Sequence, residues 1–189
     1  MSEQDFKPQQ MSPVKQVVVA AVCAALGVVL PMAFHSIPNG GSIWLPMHIP
    51  VLLCGLVAGP WPGLAAGLLA PAISSVLTGM PSAAYLPSML VELAVYGLAS
   101  GLLARVVRTG KSPADLYISL VGAMLCGRVV AGIAKALIFS AGQYSMVAWV
   151  SGSFVTALPG IIVQLVVIVP IVSALERAGL VPARYPQDK

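Results

Sequence analysis

Three ionisable side chains stand inside long apolar stretches of this chain, where charge is rare. Glu92 lies in one stretch, and Arg128 and Lys135 lie seven residues apart in another, which is two helical turns on one face. Charges at membrane depth turn toward the bundle interior or a water-filled cavity. We expect Glu92 to lie between the two cations in depth, with the Tyr96 hydroxyl one turn away. One surplus positive charge then remains to hold a small polar ligand.

A second interpretation of these charges is purely structural. Glu92 would pair with one cation inside the bundle, and the long stem of Lys135 would carry its ammonium group to the membrane surface. Further candidates for a ligand pocket are Asn39, Trp44 and His48, where the chain re-enters the apolar region after a flexible Gly-Gly-Ser segment. Weaker candidates in the neighbouring loops are Tyr85, Gln143, Tyr144 and Trp149.

The composition predicts that the chain resides in a lipid bilayer. Of its 189 residues, 58% are apolar and 8% are charged, and the mean hydropathy is +0.93. Soluble globular proteins carry about 25% charged residues, so this chain lacks the polar cover that water requires. We predict an all-α integral membrane protein, and the composition excludes a water-soluble enzyme, a nucleic-acid-binding protein and a disordered linker.

The apolar stretches divide into six predicted spans, because a helix needs about 20 residues to cross the hydrocarbon core. We expect a compact bundle of six transmembrane helices, in which the short second and third spans form a hairpin around Gly-Pro-Trp-Pro. No cleavage site follows the first stretch, so we expect it to be retained. The predicted spans are 14–34, 45–58, 63–78, 84–104, 114–140 and 146–175. The membrane domain is 14–176, between tails 1–13 and 177–189.

The basic residues predict the orientation of the bundle. Most of them fall at one end, and the loops around 35–44, 79–83 and 141–145 contain none. The positive-inside rule then places both tails in the cytoplasm. The excess of basic residues therefore indicates the orientation of the chain in the membrane and is not evidence for binding to nucleic acid. The basic residues at this end are Lys7, Lys15, Arg105, Arg108, Lys111, Arg177, Arg184 and Lys189.

Small residues recur at four-residue spacing, which lets helix backbones approach closely. Such pairs serve either packing within the bundle or docking against another membrane subunit, and the spacing favours neither. They are Gly55, Gly59, Gly63 and Gly67, then Gly97 and Gly101, then Ala20 with Ala24 and Ala21 with Ala25.

The three cysteines, Cys23, Cys54 and Cys126, are scattered through apolar runs. We expect them to be packing residues rather than parts of a disulfide or a metal site.

No pattern in the chain predicts catalysis, a cofactor or a metal. The segment 109–112 resembles the end of a phosphate-binding loop, but that loop requires glycine where Arg105 stands, and no apolar strand precedes it. No paired carboxylates, nucleophile elbow or zinc-binding helix is present. We therefore expect a protein that binds a ligand without transforming it.

Several segments together resemble one family, the substrate-binding S components of energy-coupling factor (ECF) transporters. Six short spans with cytoplasmic tails and no ATPase are similar to that family over nearly the whole chain. The segments that carry the resemblance are the alanine pair of Ala20 and Ala24, and residues 45–55, 77–81, 92–98 and 127–130. The order in which these segments follow one another is more specific than any single one.

The resemblance implies a membrane-embedded binding subunit of an importer in the bacterial plasma membrane. Such a subunit captures a water-soluble vitamin or precursor at the outer face and docks, through the alanines of its first helix, onto a transmembrane coupling subunit with two cytosolic ATPases. Ligand contacts in the family come from the outer helix halves and the first outer loop, where Glu92, Tyr96, Arg128, Lys135 and His48 fall. The surplus cation favours an anionic vitamin such as pantothenate. Riboflavin, thiamine, pyridoxine-type compounds, folate and cobalamin remain open.

Three other functions remain as alternatives. A stand-alone secondary transporter of a small metabolite would need a proton- or sodium-coupled acidic site and inverted repeats, and the chain offers one intramembrane carboxylate and no clear repeat. A membrane enzyme would need a cluster of catalytic groups. An assembly subunit without a ligand would copurify with a complex and bind no vitamin.

Overall fold

The computed structural model describes residues 11–34, 36–139 and 144–185, which are helical wherever they have regular secondary structure. Six helical segments are long and apolar enough to cross a membrane, which confirms the predicted six-helix architecture. Lys7, His35, Ser140, Gln143, Lys189 and parts of both predicted tails lie outside the described residues. The helices are α1 (Pro13–Met32), α2 (Gly40–Trp44), α3 (His48–Ala58), α4 (Pro60–Thr78), α5 (Leu86–Val106), α6 (Ser112–Ala134), α7 (Met146–Val150) and α8 (Leu158–Arg177).

The sixth predicted span is two elements rather than one continuous helix, which corrects the sequence-based prediction. Helix α7 continues into a π-helical segment, Ser151–Thr156, and the spanning helix α8 begins only at Leu158. Pro159 lies in the first turn of α8. Because proline has no N–H to donate to the preceding turn, the helix restarts there. A second π-helical segment, Lys135–Phe139, extends α6.

The hairpin between α3 and α4 is tighter than the sequence indicates, because a single residue joins the two helices. Gly59 has φ +104°, a conformation that glycine adopts without strain. Pro60 then occupies the first helical position, where its missing N–H leaves no hydrogen bond unmade. Both prolines of the Gly-Pro-Trp-Pro segment therefore start α4 instead of forming a loop.

Helices α3, α4 and α5 pack at backbone distance through glycine. A Cβ on Gly63 would overlap the carbonyl of Gly97, and one on Gly97 would overlap the carbonyl of Gly63. Gly55 lies as closely against Ser100, and Gly67 against the Leu93 carbonyl. The recurrent glycines of these helices therefore serve packing within the bundle.

Helix α1 packs through a small cluster of its own. Cys23 on α1 and Cys54 on α3 are buried with Ala58 and Ala66, as the packing interpretation predicts. Cys126 is exposed on the surface of the bundle.

The main core of the bundle lies between α3, α5, α6 and α8. Its fully buried side chains include Leu52, Leu93, Leu116, Leu120 and Ile168.

Substituting Gly97 by alanine is expected to destabilise the bundle. The added methyl group meets backbone atoms of α4, which cannot rotate away, and overpacking of this kind costs about 1–3 kcal/mol. That exceeds the ~1 kcal/mol that alanine gains in helix propensity. The thermal midpoint of the purified protein in detergent measures the effect. Gly41→Ala, where a Cβ meets nothing within 4 Å, is the control. Equal midpoints for both variants would contradict the packing role.

Candidate functional site

A cavity of about 690 Å³ lies at one end of the bundle, opposite the end that carries most of the basic residues. We call it the polar cavity, and the two ends the cavity end and the basic end. Its walls come from the last turn of α1, from α2, from the α2–α3 and α4–α5 loops, from the start of α5, and from both π-helical segments. The lining includes Asn39, His48, Glu92, Arg128 and Lys135.

The loop between α4 and α5 is fixed by side chains of α4. The Ser74 hydroxyl donates to the Met80 carbonyl at 2.7 Å, and the Ser75 hydroxyl donates to the Pro81 carbonyl at 2.9 Å. These hydrogen bonds hold Met80 and Pro81 in the cavity wall. The position of this part of the wall is therefore set by hydrogen bonds within the chain.

The carboxylate of Glu92 lies next to His48 rather than next to Arg128 or Lys135. His48 starts α3 directly after a turn in which Leu45 has φ 50°, and its Nε2 lies 3.8 Å from Glu92 Oε1. Tyr96 is fully buried one turn further along α5, and its ring meets that of His48 edge-on with centroids 5.4 Å apart. Tyr96 therefore packs against the ring of His48 and does not itself line the cavity.

Arg128 is 4% exposed and reaches the cavity from α6. Its Nη1 donates to the backbone carbonyl of Ser153, in the π-helical segment after α7, and its guanidinium carbon lies 5.5 Å from the Phe154 ring centroid. Nε and Nη2 are buried and have no hydrogen-bond partner among the described residues. Glu92 and Arg128 both line this cavity. The described residues contain no direct ion pair between Glu92 and either Arg128 or Lys135.

Lys135 lies two turns beyond Arg128 and borders the cavity at its rim. Its Nζ is 5.9 Å from the centroid of the Tyr85 ring, a cation–π contact. Tyr85 is 63% exposed and also lines the cavity. Among the described lining residues, Glu92 is the one carboxylate and Arg128 and Lys135 are the cations. The expected positive surplus is therefore present around one hollow.

A comparison with protein families identifies the chain. The model of the ECF transporter substrate-specific component matches residues 15–172. The chain belongs to this family. It is the substrate-specific membrane subunit of an ECF transporter and a multi-pass protein of the cell membrane, and such subunits bind and transport rather than catalyse. No curated protein and no solved structure matches it.

Of the two tryptophans that the sequence offers for the ligand pocket of this S component, the weaker candidate, Trp149, lines the cavity. Trp44 does not line the cavity and instead stacks obliquely on Phe34, with centroids 6.4 Å apart. Trp149 lines it, and its ring lies edge-on to Phe154 at 5.7 Å. Asn39 lines the cavity from a left-handed backbone position, φ 56°.

Sequence reasoning missed Ser153 and Phe154, the two residues that position Arg128. A signal for them exists in the polar stretch Ser-Gly-Ser at 151–153, which interrupts an apolar run shortly before Pro159. Polar and small residues followed by proline favour a break in a helix. A broken helix at membrane depth is tolerated where its backbone lines a cavity.

The two alanines assigned to partner docking are turned toward the S component's own bundle. Ala24 is 5% exposed, and Ala20 packs at the edge of the cluster formed by Cys23 and Cys54. Docking through Ala20 and Ala24 therefore stays a prediction, and in this structure Ala24 is buried within the chain. The exposed alanines of α1 are Ala21 and Ala25.

Gly132→Ala is expected to push Trp149 into the polar cavity. A Cβ at Gly132 would lie 2.6 Å from Trp149 Cε2 and 2.7 Å from Nε1, so the indole must move. Substrate affinity should fall about tenfold, which corresponds to about 1.4 kcal/mol, because the displaced indole takes up space in the cavity. Tryptophan emission, recorded with Trp44 and Trp61 replaced by phenylalanine, should shift as well. Gly152→Ala, whose Cβ meets nothing within 4 Å, is the control for the emission shift. An unshifted emission in Gly132→Ala would refute this packing.

Proposed function

We propose that this S component captures an anionic, water-soluble vitamin or vitamin precursor in the polar cavity, with pantothenate as the first candidate. The basic end lies in the cytoplasm under the positive-inside rule, so the cavity end faces outward. The ligand is released inside when the subunit is docked to the coupling subunit and its ATPases. The chain itself supplies recognition and no catalysis.

The observation that carries this proposal is the unsatisfied half of the Arg128 guanidinium. Buried polar groups are normally hydrogen-bonded, and an arginine fork with two free N–H groups matches a carboxylate or phosphate in a bidentate arrangement. Arg128 is already fixed by Ser153 and Phe154, so little side-chain entropy is lost when a ligand binds. A ligand carboxylate would satisfy Nε and Nη2 together.

The rest of the cavity suits a small molecule with both polar and apolar parts. Its volume of about 690 Å³ lies within the ~300–1,000 Å³ of typical small-molecule sites. Methionine and aromatic side chains supply apolar surface, and serine hydroxyls, Asn39 and the pair of His48 and Glu92 supply hydrogen bonds. The apolar and aromatic lining residues include Phe34, Met47, Met80, Tyr85, Met89 and Trp149.

Titration calorimetry on the purified chain tests the ligand. Pantothenate should bind with one site per chain and without ATP, more tightly than riboflavin, thiamine or pyridoxine. In Arg128→Gln the affinity should fall about 10- to 100-fold, because hydrogen bonds to charged groups contribute about 1.5–3 kcal/mol. Arg128→Lys should not restore it, because an ammonium group cannot replace a bidentate fork.

The same variants separate binding from structural support. Arg177→Gln removes an exposed arginine at the basic end and should leave affinity unchanged. Arg128→Gln should keep most of its thermal stability, because it loses only the hydrogen bond to Ser153 and the contact with the Phe154 ring. If Arg128→Gln instead binds every vitamin as the parent chain does while its melting point collapses, the arginine is structural and the proposal fails.

We further propose that α1 docks onto the coupling subunit through its exposed face, which includes Ala21 and Ala25. Replacing both by leucine should lower ATP-driven uptake several-fold in vesicles that contain the whole transporter, because larger side chains keep helix backbones apart. Ligand affinity of the isolated subunit should not change. Val22→Leu, at a position that is 53% exposed and already bulky, is the control. Undiminished uptake in the double variant would exclude this face.

A further inference from the structure

A second cavity, of about 420 Å³, lies at the basic end and takes no part in the proposed vitamin site. We call it the arginine cavity. Its walls come from the α3–α4 turn, the end of α5, the last turn of α8 and residues 181–184 after α8. It therefore lies where the spanning helices end, and the ends of helices that cross the hydrocarbon core are expected at the level of the lipid headgroups.

Three guanidinium groups surround this cavity. Arg105 lies in the last turn of α5 and Arg108 lies two residues beyond its end, and both are exposed, whereas the Arg184 side chain is 11% exposed. Gly59 lets Arg105 come close, since a Cβ there would lie 2.8 Å from Arg105 Nη2. Glu176 is the one carboxylate among the described lining residues. The lining thus carries a surplus of two positive charges.

The carboxylates beside the cavity are already engaged by other groups. Glu176 Oε1 lies 3.6 Å from Arg184 Nε, and Glu176 Oε2 accepts a hydrogen bond from the Ser112 hydroxyl at 3.0 Å. Asp115 accepts from the Thr109 backbone N–H and hydroxyl at 2.8 and 2.6 Å, and from the Tyr185 hydroxyl at 2.5 Å. These bonds hold the segment after α8 in place, and Arg184 with it.

Arg184 is left with capacity for a further acceptor. Its Nη1 is buried and has no hydrogen-bond partner among the described residues. Burial lowers the pKa of the Arg184 guanidinium from its ordinary value, even though Glu176 and Asp115 both act to raise it. An additional anion would compensate for this desolvation.

The other lining residues give the cavity a mixed character. Leu56 and Val57 on α3, Val172 on α8 and Val181 form apolar walls beside the three arginines. Guanidinium groups bind phosphate oxygens in bidentate fashion, and basic cavities between transmembrane helices bind anionic lipid headgroups. Cationic and apolar surfaces side by side match a phosphate group attached to an apolar body.

We propose that the arginine cavity binds a phosphate group through Arg105, Arg108 and Arg184, supplied by the headgroup of an anionic phospholipid or by a soluble phosphate. A bound headgroup holds the basic end of the subunit at the leaflet surface. This site is independent of the vitamin site, because the two cavities lie at opposite ends of the bundle and share no lining residue.

Native mass spectrometry of the full chain in detergent tests the site by titration with phosphatidylglycerol and phosphatidylcholine of the same acyl chains. Phosphatidylglycerol should bind more tightly, and Arg105→Gln and Arg108→Gln should each weaken it about fivefold, the effect of one cation near an anionic headgroup. Both arginines are exposed, so both variants are expected to fold as the parent chain does. Arg177→Gln, an exposed arginine at the same end outside the cavity, should change the affinity less than twofold.

A parallel arm measures thermal stabilisation by inorganic phosphate against chloride at equal ionic strength. A lipid preference without phosphate stabilisation identifies the headgroup as the ligand. Stabilisation by phosphate that Arg105→Gln and Arg108→Gln abolish, without a lipid preference, identifies a soluble phosphate. Equal binding of the two lipids together with no phosphate effect would overturn the proposal, and so would an Arg177→Gln variant that loses as much as the cavity variants.

Discussion

Arg128 lies at membrane depth, where hydrocarbon offers a guanidinium group neither water nor an acceptor. Even on the more lenient scales such a charge costs about 2.5–3.5 kcal/mol, so the protein must supply partners. It does so by interrupting a helix: the π-helical segment Ser151–Thr156 contains the Ser153 carbonyl that accepts from Arg128 and the Phe154 ring that stacks beside it. The charge on α6 and the broken backbone before α8 are two parts of one structural feature.

Away from the π-helical segment, the helices of the bundle pack closely against one another. Helices α3, α4 and α5 meet at Gly55, Gly63 and Gly97 with no side chain between their backbones. Helix α8 also approaches α2 closely at a glycine. A Cβ at Gly160 would lie 2.7 Å from the carbonyl oxygen of Ile43. These contacts fix the frame, while the polar cavity forms where α2, the π-helical segments and the loop after α4 come together.

The features predicted correctly from sequence are those set by composition and by the thickness of a bilayer. Six apolar stretches give six spans, and the few intramembrane charges, Glu92, Arg128 and Lys135, do surround one hollow. Both follow from the cost of placing polar groups in hydrocarbon, which acts on each residue almost independently of its neighbours. That is why a single sequence suffices to predict them.

Which candidate side chains face the cavity and which are buried depends on the rotation of each helix about its axis. Ala20 and Ala24 share a face with the right spacing for docking, yet Ala24 is buried by the chain's own helices. Trp44 packs on Phe34 while Trp149 lines the cavity, because Gly132 leaves room for its indole on α6. Such outcomes arise from contacts between distant segments, which residue spacing alone does not encode.

The central claim is that the buried charges mark a cavity for a nutrient anion, and the small molecules that copurify with the chain test it most directly. Native mass spectrometry of the chain, purified in mild detergent without ATP or coupling subunits, should reveal one anionic molecule of vitamin size per chain. The Arg128→Gln chain, prepared in parallel, should be folded and should lack it. A parent chain that carries no such molecule and takes up none from a vitamin mixture, or an Arg128→Gln chain that retains the same molecule, would contradict the account.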